Sequence, residues 1–312
     1  MRVPTLLAVA LASAAAAPAS AAPRPRPEGY DVSQRAGWRV WTARSGDGTY
    51  RLRLRHGTGR AWTSAVRPSG EPFAVDLGTD AAGHTEVVYP RCEGDGPCRL
   101  AVLDPVTARA RFLPLAPVAS DRAPRVSIHA GVVTYAVRRA PWSTVVRVPA
   151  DGSRAPAILL ERRGVITDLD TGPHGLAYVV SEPRPGVAHE TTTVHWRPSP
   201  HRRARRVTAF GWGEEGGAGV VSVAFSGRRL VWGVAGSAPD LIGFGRIGWR
   251  DLRTGRHGDR PVPGGWLFSA APDEARPDAA ALLAIDPAPV DNGDSGDDDR
   301  QLLTPLRAWW RR

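Results

Sequence analysis

Short apolar runs alternate with clusters of turn-forming residues along nearly the whole chain from residue 37 onward. Typical runs are residues 132–135 (VVTY) and 145–148 (VVRV), bounded by Gly, Asp, Pro or Arg. Runs of this length, rich in β-branched and aromatic residues and separated by turn formers, are typical of strands joined by tight turns. We find no helical pattern of ordinary length with capping residues. The chain is therefore predicted to be all-β.

The strand pattern repeats along the chain. An aromatic residue recurs near the end of an apolar strand, and successive copies are 43 to 54 residues apart; these residues are Trp41, Tyr89, Tyr135, Tyr178 and Trp232. Two further strands follow each copy, and an apolar run some ten residues upstream can form the innermost strand. Four short strands every 40–50 residues or so is the period of a β-propeller blade. Residues 266–268, 281–285 and 301–303 supply a sixth, degenerate copy.

We therefore predict a single β-propeller of about six, and between five and seven, four-stranded blades over residues 37–306. A blade cannot bury both of its faces alone, so several blades must close into a ring. The large side chains at the repeated aromatic positions are expected to fill the wedges between blades.

The texture of these strands resembles a known group of proteins. Residues 133–135 with 145–152, and Tyr89 with residues 99–104, follow a V-x-Y, V-R-V-x-x-D-G pattern. This pattern resembles secreted TolB-type or WD40-like propellers of high-GC, actinobacterial-type bacteria. The resemblance implies the fold over residues 37–306. It also implies a binding platform more often than a lyase or a hydrolase.

The first residues are expected to stand outside the fold. Arg2, an apolar stretch at residues 6–12 and an Ala-Ser-Ala sequence ending at Ala21 have the features of a secretory signal peptide over residues 1–21. Residues 22–36 are expected to form a Pro-rich flexible leader. We accordingly predict a secreted protein with no transmembrane segment in the mature chain.

The chain has 41 Lys+Arg against 31 Asp+Glu, and every one of these basic residues is Arg. A genome-wide codon bias spreads Arg over the whole surface, whereas a nucleic-acid site needs it on one face, so we expect no nucleic-acid partner. One dense cluster stands out, formed by Arg202, Arg203, Arg205 and Arg206. Two interpretations remain open for it, a solvated loop and a patch for an anionic partner.

The two cysteines are Cys92 and Cys98, separated by five residues rich in turn formers. An export signal together with an even number of cysteines predicts a disulfide. A metal site is the alternative, but no histidine lies nearby. Because the closed loop is small, the disulfide is expected to secure a hairpin tip rather than the fold.

An acidic run near the C-terminus invites two chemical interpretations besides a solvated loop. It could form a weak Ca²⁺ site, although its spacing departs from the EF-hand loop. Its Gly-Asp-Ser-Gly stretch at residues 293–296 matches the surroundings of a serine-protease nucleophile, but no histidine motif accompanies it. The candidate calcium ligands are Asp291, Asp294, Asp297 and Asp299.

Two other motifs are weaker. Residues 243–248 match the glycine spacing of a dinucleotide-binding loop, but the sequence that follows continues as a strand rather than a helix. The tail at residues 307–312 pairs Trp309 and Trp310 with two arginines, so it could pack against the last blade or contact a membrane or an anionic polymer.

The sequence contains no complete catalytic set, so we assign no catalytic residues. The leading expectation is a secreted, non-catalytic binding or scaffold protein whose ligand is an extracellular protein, peptide or glycan. The first alternative is a lyase or hydrolase with residues gathered at the channel, for which His129, His174 and Glu182 are candidates. The second alternative is an anionic-polymer binder. No cofactor is expected other than the Ca²⁺ discussed above.

Overall fold

The computed structural model describes residues 31–92, 96–183, 190–213, 216–238, 241–262, 266–276, 281–286 and 302–306. In this part of the chain it contains 23 strands and no helix. The strands form five four-stranded antiparallel blades and one three-stranded sheet. The prediction of an all-β propeller with five to seven blades is therefore confirmed.

The first three blades are separate meanders in which each strand pairs with the next along the chain. Blade 1 consists of β1 (Val32–Arg35), β2 (Trp38–Arg44), β3 (Tyr50–His56) and β4 (Trp62–Thr63). Blade 2 consists of β5 (Asp76–Thr79), β6 (Thr85–Cys92), β7 (Cys98–Leu103) and β8 (Ala110–Phe112). Blade 3 consists of β9 (Arg125–His129), β10 (Val132–Arg139), β11 (Trp142–Pro149) and β12 (Ala157–Arg163).

Blades 4 and 5 are longer and join into one eight-stranded sheet, because β16 and β17 pair over two residues. Blade 4 consists of β13 (Val165–Gly172), β14 (Gly175–Pro183), β15 (Glu190–Arg197) and β16 (Arg205–Gly213). Blade 5 consists of β17 (Gly216–Ser226), β18 (Arg229–Ala238), β19 (Leu241–Asp251) and β20 (His257–Val262). The sixth sheet consists of β21 (Trp266–Ala271), β22 (Ala281–Asp286) and β23 (Leu302–Leu306).

The inner strands close the ring. Each of β1, β5, β9, β13, β17 and β21 contacts the next one, and β21 contacts β1. Neighbouring inner strands run in the same direction. The Val75 N–H donates to the Asp31 carboxylate, and two residues later on both strands the Leu77 N–H donates to the Ser33 hydroxyl. We call the face where the inner strands begin the front face and the face where they end the rear face.

The repeated aromatic residues occupy equivalent positions on the second strand of each four-stranded blade. All five are between 2% and 7% exposed and pack with the apolar side chains of their blade; they are Trp41, Tyr89, Tyr135, Tyr178 and Trp232. This confirms the period inferred from the sequence, since the aromatics belong to the hydrophobic clusters that hold the ring together.

One predicted boundary needs correction. The sequence places residues 22–36 in a flexible leader, whereas Val32–Arg35 form β1, the inner strand of blade 1. The strand was missed because it has four residues and three of them are polar. Its polar side chains face other blades at the centre of the ring, where Ser33 bonds to Asp76 and Gln34 to the carbonyl of Ala271.

Candidate functional site

The centre of the ring is a narrow acidic channel. Its cavity of about 50 Å³ is lined by residues that lie in or beside all six inner strands, and five of the six contribute polar side chains. Five carboxyl groups line it, namely that of Glu274 and those of four aspartates, which we call the channel carboxyls: Asp31, Asp76, Asp168 and Asp170. No sequence motif marks these aspartates, although each stands in or next to an inner strand.

The channel carboxyls accept hydrogen bonds from backbone N–H groups of neighbouring blades. Asp31 accepts from Val75 at 3.0 Å, and Asp76 accepts from Ile128 at 2.9 Å. In blade 4, Asp168 accepts from Val223 at 2.7 Å. In the described sheets, the inner strands of neighbouring blades are not joined by backbone hydrogen bonds. The aspartates therefore accept the bonds from inner-strand N–H groups that would otherwise be buried without a partner.

Charge in the channel is poorly balanced. Burial is the main cause that raises the pKa of Asp168 to about 7, and the nearby Asp31 raises it further. Burial followed by the proximity of Asp76 raises the pKa of Asp170 well above its ordinary range. Arg125, whose Nη1 lies 3.8 Å from the Asp31 carboxylate, supplies a compensating charge. Channel carboxyls with raised pKa values are therefore protonated over part of the neutral range.

The rear mouth of the channel carries a second charged group. Arg35 forms an ion pair with Glu274, and the His129 Nδ1 lies 3.7 Å from the other oxygen of that carboxylate. Burial and then the charge of Arg35 lower the pKa of His129. His174 lies in the turn before β14, with its ring 6.4 Å from that of Phe225.

The proposed catalytic trio is not brought together as a unit. His129 and His174 stand at the rear ends of their inner strands, whereas Glu182 lies near the front end of β14. There its carboxylate is 3.4 Å from the Arg162 guanidinium. A general acid–base pair needs hydrogen-bond reach between its members and a shared substrate position, and Glu182 shares neither with the histidines.

The front face carries a large concave surface. Two adjoining cavities of about 640 and 780 Å³ share Glu71, Pro72, Cys92 and Ala123, and we call them together the front cleft. The cleft is formed by the connections that lead into β5, β9 and β13, together with the tip of the β6–β7 hairpin. Pre-formed cavities of this size fit a small ligand or a short segment of a polymer.

Arginines supply most of the charge of the front cleft. Five of them line it, against the acidic Glu71 and Asp121; they are Arg67, Arg91, Arg122, Arg125 and Arg138. A third cavity of about 380 Å³ continues the surface past Asp121 to Arg139. Arg139 pairs in register with Trp142, whose side chain is 52% exposed.

The predicted disulfide is present. Cys92 pairs with Cys98 across the β6–β7 hairpin, with their Cα atoms 3.9 Å apart, and both residues line the front cleft. The disulfide thus fixes one wall of the cleft. A disulfide is compatible with an oxidising compartment. No helix in the described ranges is long and apolar enough to cross a membrane.

The predicted basic cluster lies at the rear, on the β15–β16 turn. Arg202 and Arg203 are exposed in the turn, and Arg205 and Arg206 begin β16. The four candidate calcium ligands at residues 291–299, the signal peptide and the tail at residues 307–312 lie outside the described residues. Among the residues that are described, no group of three or more His, Cys, Asp or Glu side chains is placed to hold a metal ion.

The glycine-rich residues 243–248 lie within β19, which runs without a break from Leu241 to Asp251. A dinucleotide loop would need the N-terminus of a helix after the glycines, and a strand offers none. The structure therefore agrees with the strand that the sequence predicts here.

Comparison with known proteins identifies the fold and leaves the family open. No family model matches the chain, and no curated protein matches its sequence. Among solved structures, TolB from Acinetobacter baumannii is similar with a TM-score of 0.54 and 14% identity over 86% of this chain. The match spans 64% of the TolB chain.

Two other solved structures are similar at the same level. The fucose-specific lectin from Aleuria aurantia has a TM-score of 0.53 at 11% identity, covering 83% of this chain and 90% of the lectin. A chain of a nidogen/laminin complex has a TM-score of 0.51 at 12% identity, covering 74% of this chain and 79% of that one. At such identities the likeness concerns the fold alone. The chain thus has a TolB-like β-propeller fold.

Proposed function

We propose that this protein is an exported, non-catalytic binding module whose front cleft holds a carboxylate-bearing peptide segment of a partner protein. The observation that carries the proposal is the clustering of five arginines in a pre-formed concavity of the front face. Export rests on the signal-peptide pattern of residues 1–21 and on the compatibility of the disulfide with an oxidising compartment.

The chemistry of the cleft favours a carboxylate ligand. Guanidinium groups bind carboxylates through two parallel hydrogen bonds, and arginines from several loops can hold more than one such group along an extended chain. Trp142, at the rim beside Arg139, offers a rigid aromatic surface, and Trp and Arg are the residue types enriched at binding hot spots. The propeller fold shared with a chain of a nidogen/laminin complex is compatible with a protein partner.

The test is a fluorescence-anisotropy titration of the purified protein with labelled ten-residue peptides that are acidic, neutral or basic. We expect the acidic peptide to bind most tightly and to weaken as salt is added. Substitution Trp142→Ala, and separately Arg122→Gln, should weaken binding at least tenfold. The control Phe112→Ala removes a 38% exposed aromatic from the outer strand of blade 2, away from the cleft, and should leave affinity unchanged.

Four results would overturn the proposal. One is equal binding of the three peptides, and another is binding of the acidic peptide that Trp142→Ala and Arg122→Gln leave unchanged. The third is cleavage of the bound peptide, which mass spectrometry of the titration mixture detects and which would favour the hydrolase alternative. A muropeptide or oligosaccharide that competes better than any peptide would assign the cleft to a glycan instead.

A further inference from the structure

A second basic cavity lies in the seam between blades 3 and 4, and the β15–β16 turn bounds it at the rear. It has a volume of about 250 Å³, and one wall is β12 with Leu160, Glu161 and Arg162. The other wall is blade 4, with Tyr178, Arg197 and residues 201–204 of the β15–β16 turn. We call this cavity the seam groove.

Arg197 holds the two walls together. Its Nη1 donates to the carbonyl oxygen of Leu159 on blade 3, which ties the blades across the seam. Its Nε donates at 3.0 Å to the carbonyl of Arg202, and its Nη2 donates to that of Pro200. The Arg197 guanidinium thus fixes the backbone of the turn that carries Arg202 and Arg203.

Positive charge surrounds the groove from both sides. Arg162 stands on one wall and Arg202 and Arg203 on the other, while the lining carboxylate is that of the exposed Glu161. Glu182 faces Arg162 at 3.4 Å and offsets part of its charge. Within the described ranges no ion pair is formed by Arg202 or Arg203, so both guanidinium groups are available to a ligand.

A buried histidine lies behind the groove, and the positive charge of nearby arginines affects its pKa. His195 is 6% exposed, and its ring stacks on Tyr178 with centroids 5.1 Å apart and planes at 14°. Burial, followed by the charges of Arg162 and Arg206, lowers the pKa of His195 to about 4. In the described part of the chain its Nε2 has no hydrogen-bond partner. A neutral imidazole with an unused polar atom thus lies behind the Tyr178 ring.

We propose that the seam groove binds a tetrahedral oxyanion, a phosphate or a sulfate, carried on an extended polyanion. A tetrahedral group presents oxygens in several directions and can meet guanidinium groups on opposite walls, whereas a planar carboxylate presents two oxygens in one plane. Arg202 and Arg203 bind from the turn, Arg162 binds from β12, and Arg197 positions the turn. The further charges of Arg205 and Arg206 extend the site along β16 for the rest of the polymer.

The test compares labelled polyphosphate, a heparin oligosaccharide and polyglutamate of similar length in anisotropy titrations at several salt concentrations. The double substitution R202Q/R203Q should weaken binding of the preferred oxyanion polymer at least tenfold at about 0.1 M salt. It should also reduce the slope of log K against log salt by about 2, one for each lost contact. Preference for polyphosphate or for heparin identifies phosphate or sulfate as the bound group.

The matched control is R253Q/R256Q. Both arginines are exposed in the β19–β20 turn, which is the equivalent turn of the next blade, so the change in net charge is the same. This variant should retain the affinity of the unmodified protein within twofold. The single variant R162Q tests the opposite wall of the groove. The variant R202K/R203K keeps the charge but loses the planar guanidinium groups. Each should bind with an affinity between those of the unmodified protein and R202Q/R203Q.

Equal weakening by the two double variants would overturn the proposal, since it would show attraction to the overall positive charge. A loss of polyglutamate affinity in R202Q/R203Q as large as the loss of oxyanion-polymer affinity would overturn it as well, since the groove would then not distinguish carboxylates from tetrahedral oxyanions. So would the absence of binding by both polyphosphate and heparin. Polyglutamate also fits the front cleft, so its titration is repeated with Arg122→Gln, which leaves the seam groove intact, and failure of this proposal is then distinguishable from failure of the peptide-binding function.

Discussion

The channel carboxyls predict an unusual dependence of stability on pH, and Asp168 allows the effect to be worked out. In the folded chain the pKa of Asp168 is about 7, whereas its ordinary value is 3.8. Below pH 3.8 the group is protonated in both states and contributes no pH dependence. Between these two pH values the unfolded chain releases a proton that the folded chain keeps, so stability falls as pH rises. Above pH 7 the loss is complete.

The size of this loss follows from the two pKa values. One pKa unit corresponds to about 1.4 kcal/mol, so the span from 3.8 to about 7 corresponds to at most about 4 kcal/mol for Asp168. Asp170 adds a contribution of the same sign, because its pKa is also raised. That is a large part of the stability of an ordinary domain. The unmodified protein should therefore be markedly more stable near pH 5 than near pH 8.

Substitution Asp168→Asn isolates the effect. The amide oxygen still accepts the hydrogen bond from the Val223 N–H, while the titratable proton is removed. We expect the variant to match the unmodified protein near pH 4.5 and to exceed it in stability near pH 8. The measurement is the urea midpoint from tryptophan fluorescence between pH 4.5 and 8.5, at fixed ionic strength and with a chelator present.

The control is Asp47→Asn, at an exposed turn. Hydrogen bonds from Thr49 and Arg51 lower the pKa of Asp47, so its stabilising effect is present at neutral pH and is lost only under strongly acidic conditions. This variant should lower the midpoint equally across the range and keep the slope of the unmodified protein. A flat profile for the unmodified protein, or an Asp168→Asn profile as steep as the original, would refute the reasoning.

Two further predictions concern the scaffold. A Cβ at Gly78 would lie 1.6 Å from the carbonyl oxygen of Ile128 in the next blade. Gly78→Ala should therefore destabilise the protein by about 3 kcal/mol or more, measured as a fall in the thermal midpoint. An unchanged midpoint would show that the inner strands can move apart. Replacing Cys92 and Cys98 by Ser should lower the free energy of unfolding by about 2 kcal/mol through loop-closure entropy, measured by denaturation. The same replacement should weaken the binding of the acidic peptide to the front cleft and leave polyanion binding to the seam groove unchanged.

The periodic part of the fold could be predicted from the sequence because the determining contacts are local. Trp41, Tyr89 and their equivalents recur at one position of a meander whose strands follow each other directly, so the spacing reports the blade length. The disulfide was predictable for the same reason, since six positions separate its cysteines across one hairpin. The three-stranded sixth sheet also follows the weak copy in the sequence at residues 266–303.

The channel could not be predicted in the same way. Contacts between successive blades join residues 43 to 55 positions apart, such as Ser33 with Asp76 and Asp168 with Val223, and the contact of Gln34 with Ala271 spans 237 positions. They exist only when the ring closes. In the sequence, each channel carboxyl is only an acidic residue in or beside a short apolar run. Many turn residues of this chain stand in the same kind of position. β1 shows this difficulty most clearly, because its polar sequence VSQR has no strand pattern until neighbouring blades surround it.

The two basic sites were hidden for a related reason. Arg67 comes from the connection before β5, Arg91 from the end of β6 and Arg138 from the end of β10, and their proximity is set by the ring. Arg202 and Arg203 were visible as a cluster, but Arg162 on the opposite wall lies 40 positions earlier in the chain. In a chain whose basic residues are all Arg, composition cannot separate a site from the rest of the surface.

The division of charge within the molecule supports the proposal that ligands bind to exposed arginines outside the channel. The channel carboxyls are engaged in hydrogen bonds to inner-strand N–H groups, and Ser33 and Ser222 do the same work for Leu77 and Ala270. These side chains therefore replace the backbone ladder that diverging inner strands cannot form, and a ligand that drew them away would leave buried donors unsatisfied. Among the described residues, most arginines of the front cleft and the seam groove make no such contact; the exceptions are Arg125, Arg197 and Arg162, which pairs with Glu182. The charges of the other arginines are thus available to an anionic partner, and the channel serves as the scaffold that holds them in place.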